Sequence, residues 1–166
     1  IWYTRQQAPT SVETSVTDLS GWQSYNDQGF GFSLQYPPSW RIILGDGGNN
    51  ITENYIGFVS GTSSTERYEN HVEIIPWAGT LDEYISSNID FEPGANSPKS
   101  DTTVGGKVGK KVINSILVKN GSYLFLFYSQ GDKMEKEGIL ATVKFTEPMP
   151  PVEGRTYRNE NVGVEM

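Results

Sequence analysis

Alternating apolar and polar residues predict strands in the first half of the chain. Between Phe30 and Tyr36 every second residue is apolar, which is the period of a strand with one buried face. Pro37 and Pro38 follow directly and end that strand. The segments WRIILG, NYIGFVSG and HVEIIPWA predict three further strands, separated by polar or glycine-rich loops.

Two later segments have helical spacing instead. Thr80 and Glu83 have the S/T-x-x-E spacing of a capping box, and apolar residues follow at helical intervals, which predicts a helix over residues 81–90. A second helix is predicted over residues 132–144, because four apolar residues fall on one helical face there. These four are Met134, Leu140, Ala141 and Val143.

Between the two predicted helices, Asn120 and Gly121 separate the apolar runs KKVINSILVK and SYLFLFYSQ. Asn-Gly is a strong hairpin signal, because both turn positions of a tight hairpin need positive φ. The second run is apolar on both faces and is therefore predicted to be a central strand covered on both sides. The order of strands, helix, hairpin and helix predicts an α+β domain, a mainly antiparallel sheet with helices packed on it.

Composition indicates one globular domain with tails. Of the 166 residues, 1–21 are predicted to form a flexible Ser/Thr-rich linker, 22–146 the domain, and 147–166 a proline-rich linker. The chain has no cysteine, which excludes disulfides, thiolate nucleophiles and cysteine-based metal sites. Its apolar runs are too short to span a bilayer.

The charge balance makes nucleic acid an unexpected partner. The formal net charge is -7, whereas binding to phosphate backbones depends on clustered lysine and arginine. The densest basic run, Lys107, Lys110 and Lys111, is interpreted as a solvated strand edge, because lysines discourage edge-to-edge pairing.

Four segments carry a resemblance to a known family: GFGFSLQYPPSW, TLDEYI, TTVGGK and ATVKF. Over residues 22–146 the chain resembles the PsbP-like family, and most of all its bacterial extracytoplasmic and lipoprotein branch. The resemblance implies an α-β-α sandwich built on an antiparallel sheet. In that fold Trp40 is expected to fill the core, whereas Trp77 suits either the rim or the core.

Candidates for chemistry are few. His71 is the single histidine, and strand alternation places it beside Glu73 on a half-exposed face; no G-x-S-x-G motif accompanies it. Asp46, Asn49, Asn50 and Glu53 offer oxygen ligands for calcium, but their order is not that of an EF-hand loop, and a turn-rich loop is the preferred interpretation. Asn50 and Asn120 begin N-glycosylation sequons, and hairpin geometry alone explains the second. No catalytic or metal-binding residue and no cofactor is assigned, and the ligand-binding residues are left open.

Three functional hypotheses follow. The first is a non-catalytic, extracytoplasmic PsbP-like module, anchored to the bacterial cell membrane, monomeric, and binding an unidentified protein or envelope component. Trp2, Tyr3 and Arg5 suit the interfacial end of an anchor, and an ordinary flexible tail is the alternative.

The second hypothesis is a hydrolase of an envelope polymer that uses two converging carboxylates. Its candidates are Glu66, Glu69, Glu73, Asp82 and Glu83. The third is a cytosolic adaptor like the Ran-binding branch of the same fold.

The end of the chain suggests a repeat. Residues 157–166, YRNENVGVEM, align without a gap on YNDQGFGFSL at residues 25–34, with matching alternation of apolar residues. We therefore expect either a second domain of the same kind beginning here or one more strand of the same sheet.

Overall fold

A computed structural model describes residues 18–45, 55–60, 70–87, 98–136 and 138–148. The predicted anchor segment, the candidate calcium loop and the suggested repeat lie outside these residues. The described residues form ten strands and two α-helices. The strands are β1 (Gln23–Asp27), β2 (Phe32–Tyr36), β3 (Trp40–Leu44), β4 (Tyr55–Ser60), β5 (Asn70–Pro76), β6 (Lys99–Val104), β7 (Lys107–Val112), β8 (Ser115–Asn120), β9 (Tyr123–Ser129) and β10 (Lys144–Phe145), and the helices are α1 (Leu81–Ser87) and α2 (Lys133–Lys136).

The strands form two antiparallel sheets. The large sheet has the order β3-β4-β5-β9-β8-β7-β6, and the small sheet has the order β1-β2-β10. β6 to β9 form a meander of three successive hairpins, each closed by a two-residue turn. Each strand of this meander pairs with the next strand in the sequence, so four of the seven strands of the large sheet are joined by short turns.

The main core lies between the two sheets. Phe32 of the small sheet packs edge-on against Phe125 of the large sheet, with ring centroids 5.1 Å apart, and Trp40 is 5% exposed in the same cluster. A second core lies between α1 and the other face of the large sheet, where Ile85 packs with Leu117 and leucines of β9. The predictions that Trp40 fills the core and that β9 is covered on both faces are therefore confirmed. Each of these side chains contributes about 1.5–3 kcal/mol through burial.

The predicted α-β-α sandwich with helices packed on the sheet is wrong. One face of the large sheet is covered by the small sheet, and the other carries the seven-residue helix α1. The difference arises at β1, which pairs with β2 instead of joining the large sheet. Because the aromatic faces of β1 and β2 fill the space above the large sheet, there is no room for a helical layer there.

The predicted helix over residues 132–144 is also wrong. The segment folds as a 3-10 turn over Gln130–Asp132, the four-residue helix α2 and a second 3-10 turn over Leu140–Thr142. Gly131 and Gly138 have φ values of 65° and 80°, which no α-helix contains. The breaks let Met134 and Ile139 both reach the main core.

The capping box that predicts α1 is confirmed. The Thr80 amide donates to Glu83 Oε2 over 2.6 Å, and the Glu83 amide donates to Thr80 Oγ1 over 3.2 Å. The described helix ends at Ser87, and residues 88–90 of the prediction lie outside the described part of the chain.

The hairpin at residues 120–123 is confirmed, but its turn is shifted by one residue. Asn120 pairs with Tyr123, so the turn is formed by Gly121 and Ser122, and Gly121 alone has positive φ, 57°. Asn120 is 4% exposed, and its amide nitrogen donates to the carbonyls of Gly31 (3.3 Å) and Thr146 (2.9 Å). This residue therefore joins the hairpin tip to the end of the small sheet at which β2 begins and β10 ends.

Candidate functional site

Helix α1 covers only one half of the outer face of the large sheet, by which we mean the face turned away from the small sheet. Its core partners Val112, Leu117, Leu124 and Leu126 belong to β7, β8 and β9. No described residue of β3 or β4 belongs to this cluster, whereas Ile75 of β5 and Tyr128 of β9 pack against its border. The outer face of β3, β4 and β5, together with this border, is the candidate site.

A row of three stacked aromatic rings crosses this area. The ring centroids of Tyr55 and His71 are 4.7 Å apart at an interplanar angle of 28°, and those of His71 and Tyr128 are 5.0 Å apart at 20°. These spacings match the separation of neighbouring strands, so the rings stand side by side across β4, β5 and β9. Gly57 is the direct partner of His71 on β4, and its missing side chain leaves room for the Tyr55 ring.

We call Tyr55, His71 and Tyr128 the aromatic row. All three residues are half-buried, so their rings are held in place while part of each remains accessible. Stacking of aromatic rings at these distances fixes their orientation. The row therefore presents a rigid, partly apolar surface with two hydroxyl groups.

Glu73 lies directly beside the aromatic row. It pairs with Tyr55 on one side and with Leu126 on the other. The residue as a whole is exposed, yet partial burial of its carboxyl group raises the pKa of Glu73 above the ordinary value. Desolvation is the cause of this shift, and no described basic group opposes it. The carboxylate is thus a negative charge that a cationic ligand would stabilise.

Trp77 lies at the rim, where β5 meets α1. Its indole nitrogen donates to the Thr80 carbonyl over 2.9 Å, its own carbonyl accepts from Lys119 Nζ over 2.6 Å, and its ring meets Tyr84 edge-on at 5.3 Å. An open cleft of about 800 Å³ runs past it, lined by Pro76, Trp77, Ala78, Gly79, Glu83, Ser86 and Ser87. The polar groups of Trp77 and Glu83 are bonded to the helix start, so we assign this corner a structural role.

The predicted carboxylate cluster is not brought together by the described residues. Glu66 and Glu69 lie outside them, and Glu83 caps α1, where hydrogen bonds from Thr80 lower its pKa. The pKa of Lys110 is raised, first by its hydrogen bond to Asp101 and then, to a smaller extent, by the negative charge of Asp82. Among the described members of the predicted cluster, Glu73 alone lies in the candidate site. Among the described residues, no three His, Cys, Asp or Glu side chains are grouped to hold a metal ion.

The lysine run is not at a sheet edge as predicted. β7 is the second strand from the end of the large sheet, and β6 is the outer one. Lys110 pairs with Asp101 of β6 over 2.7 Å. Lys110 of this run therefore supports the pairing of β6 with β7.

Sequence reasoning placed His71 and Glu73 on one face, which the structure confirms, but it missed Tyr55 and Tyr128 as their neighbours. Strand alternation alone gives the face of each residue. The strand order β4-β5-β9 is needed to bring the rings together, and β9 lies far from β4 in the sequence.

Comparison with solved structures gives a likeness in fold. No protein-family model matches the chain, and no curated protein matches it. Among solved structures, the chain is similar to cyanobacterial PsbP from Synechocystis sp. PCC 6803, with a TM-score of 0.45 and 11% sequence identity, over 76% of this chain and 94% of that chain. These values do not assign the chain to a family. No helix in the described stretches has the length and apolar character needed to cross a bilayer.

Proposed function

We propose that this chain is a non-catalytic, membrane-anchored PsbP-like module of the bacterial cell envelope that binds a protein partner through the aromatic row and Glu73. The family and the compartment are supported by the sequence resemblance in GFGFSLQYPPSW and TLDEYI. The binding role is supported by the outer face of the large sheet.

The observation that carries the proposal is the aromatic row itself. Tyrosine is enriched at the centres of protein interfaces, because it offers a large, rigid contact area with a polar end. Tyr55 and Tyr128 are held by stacking on His71 and lose little side-chain freedom when a partner docks.

Glu73 indicates the chemistry of the partner. Its carboxylate is partly desolvated, and the whole chain carries a formal charge of -7. A lysine or arginine placed against Glu73 would offset that desolvation and would be drawn to the negative domain. The partner segment therefore carries at least one basic residue beside apolar ones.

The hydrolase alternative has less support. General acid-base hydrolysis of a glycoside needs a second carboxyl group about 5–10 Å away. Glu83 holds the start of α1 through its bonds to Thr80 and is not available for this role. Glu73→Gln separates the two functions, because it removes all carboxylate-dependent hydrolysis and only weakens binding.

Site-directed photo-crosslinking tests the binding role. A photoreactive phenylalanine derivative replaces Tyr128 in the native host, and in a matched strain it replaces Val108, which is 70% exposed on the same sheet. We expect a crosslinked protein from position 128 and none from position 108. The identified protein is then purified and titrated against the module by calorimetry.

In that titration, we expect Tyr128→Ala to weaken binding at least tenfold, which corresponds to about 1.4 kcal/mol. Val108→Ala is expected to leave the affinity unchanged. Equal crosslinking from both positions, or a partner whose affinity is insensitive to Tyr128→Ala, would reject the proposed function.

A further inference from the structure

The two edges of the large sheet differ in character. The outer strand β6 contains Lys99 and Asp101, and charged side chains of this kind discourage pairing with another strand. The opposite outer strand, β3, has the sequence WRIIL, and Leu44 is 36% exposed. In the part of the chain that the structure describes, β3 pairs with β4 alone. The β3 edge thus has the composition of a strand that accepts a neighbour.

The direction of each main-chain group in β3 follows from one hydrogen bond. The Gly45 amide donates to the Tyr55 carbonyl over 2.9 Å, so Gly45 faces β4. Because main-chain groups alternate in direction along an antiparallel strand, those of Ile43 and Arg41 also face β4. Those of Ile42 and Leu44 point away from the sheet, and the Trp40 amide is bonded to the Pro37 carbonyl over 2.9 Å. Ile42 and Leu44 therefore each offer a main-chain N–H donor and a C=O acceptor to an additional strand.

We propose that the β3 edge accepts an extended segment of a partner protein as an additional antiparallel strand. The inference rests on the proposed function, since the segment belongs to the partner that also contacts the aromatic row. Main-chain bonds to Ile42 and Leu44 supply the pairing, and apolar side chains of the segment lie beside Ile42 and Ile43.

Charge selects the partner over a second copy of this chain. Two copies, each with a formal charge of -7, repel one another. Arg41 is exposed on the outer face of β3, next to the position that the added strand would occupy. A segment with alternating apolar residues and an aspartate or glutamate at the position beside Arg41 fits this edge.

Amide hydrogen exchange followed by NMR tests the geometry in the free protein. We expect the amides of Arg41 and Ile43 to be protected and those of Ile42 and Leu44 to exchange at least tenfold faster. Slow exchange at Ile42 and Leu44 in the dilute free protein would show that the edge is already covered and would overturn the proposal.

The probe for strand addition is an acetylated eight-residue peptide of alternating valine and threonine with a central glutamate. At 1 mM peptide, we expect exchange at Ile42 and Leu44 to slow at least threefold. The control peptide has the same sequence with N-methyl groups on alternate amides, which removes its main-chain donors, and it should have no effect. Absence of protection with the first peptide, or equal protection with both, rejects strand addition.

A variant of the protein gives a second control. Leu44→Pro removes an outward N–H and is compatible with an edge strand, whereas Ile43→Pro removes an N–H that faces β4. We expect Leu44→Pro to retain the fold and lose the peptide effect, and Ile43→Pro to be strongly destabilised. If Leu44→Pro fails to fold, the N-methylated peptide still decides the question, because it leaves the protein unchanged.

Two further outcomes are distinguishable. Protection of Ile42 and Leu44 that rises with protein concentration, together with a doubled mass in sedimentation, means that a second copy occupies the edge and rejects the proposal. Tyr128→Ala should leave the peptide effect intact, because the peptide binds the edge and not the aromatic row. Failure of the aromatic-row proposal and failure of strand addition are therefore recorded by separate measurements.

Discussion

Replacing Ile113 with glycine should stabilise the protein. Ile113 occupies the first position of the two-residue turn between β7 and β8, with a φ of 51°, and its side chain is 45% exposed. Gly105 and Gly121 occupy the same position in the two neighbouring hairpins, with φ values of 56° and 57°. A β-branched residue is disfavoured at positive φ because its Cβ crowds the main chain.

The size of the effect follows from two opposing terms. Positive φ costs a residue with a Cβ about 1–2 kcal/mol, which glycine does not pay. Glycine loses about 0.5–1 kcal/mol more backbone entropy on folding. The net gain in the free energy of unfolding is therefore about 0.5–1 kcal/mol, and each kcal/mol raises the melting temperature of a domain of this size by about 2–4 °C.

Urea denaturation followed by tryptophan fluorescence measures this gain, since the chain has 4 tryptophans. At an unchanged m-value, the midpoint should move to higher urea for Ile113→Gly. Ile113→Ala keeps a Cβ at the same φ and should show no gain. Gly121→Ala introduces the strain at the equivalent position and regains the glycine entropy, so it should lose about 0.5–1 kcal/mol.

The reasoning would be refuted if Ile113→Ala and Ile113→Gly had the same stability. That result would mean that the loss of the exposed side chain, and not the relief of backbone strain, determines the change. A lower midpoint for Ile113→Gly would contradict the balance of the two terms.

Four further predictions concern the site, the helix cap and the hairpin tip. Burial raises the pKa of Glu73, so the stability contributed by this group is lost as pH rises from the ordinary value of 4.5 through the folded value. The gain of Glu73→Gln over wild type in thermal melts should therefore grow across that pH range and then level off. The pKa of Glu83 is lowered, so stability depends on pH in the opposite direction. Wild type should lose stability below about pH 4, and Glu83→Gln should not show this loss. Asn120→Ala removes the side-chain donor to the Thr146 carbonyl and one of the two donors to the Gly31 carbonyl, and it should cost about 1–3 kcal/mol in urea denaturation. The sequon at Asn120 should carry no glycan in mass spectra after expression in a glycosylating host, because its amide is buried.

The predictions for Glu73, Glu83 and the Asn120 glycan each have a contradicting outcome. A stability difference between wild type and Glu73→Gln that does not change with pH would show that the Glu73 carboxyl is not desolvated. For Glu83, a wild-type acid transition that persists in Glu83→Gln would assign that transition to another group. A glycan on Asn120 would show that the hairpin tip opens away from the small sheet.

Residue alternation and turn chemistry predicted much of the local structure. The strands β3, β4 and β5, the capping box of α1 and the faces of β9 all follow from neighbouring residues. The second helix was mispredicted because a helical pattern of apolar residues outweighed Gly138. The turn at Ile113-Asn114 inside KKVINSILVK is not predicted, because this dipeptide carries no hairpin signal, and it is seen only in the pairing of β7 with β8.

The sequence by itself determined which residues face the same side of each strand, including His71 and Glu73, because alternation is a local property of the extended chain. Tertiary structure alone decided that β1 and β2 cover the large sheet, that Tyr55 and Tyr128 stack on His71, and that β3 is an outer strand. Each of these features depends on pairing between strands distant in sequence, and a local pattern does not contain that information. The candidate site is made of such pairings, so the structure was needed to find it.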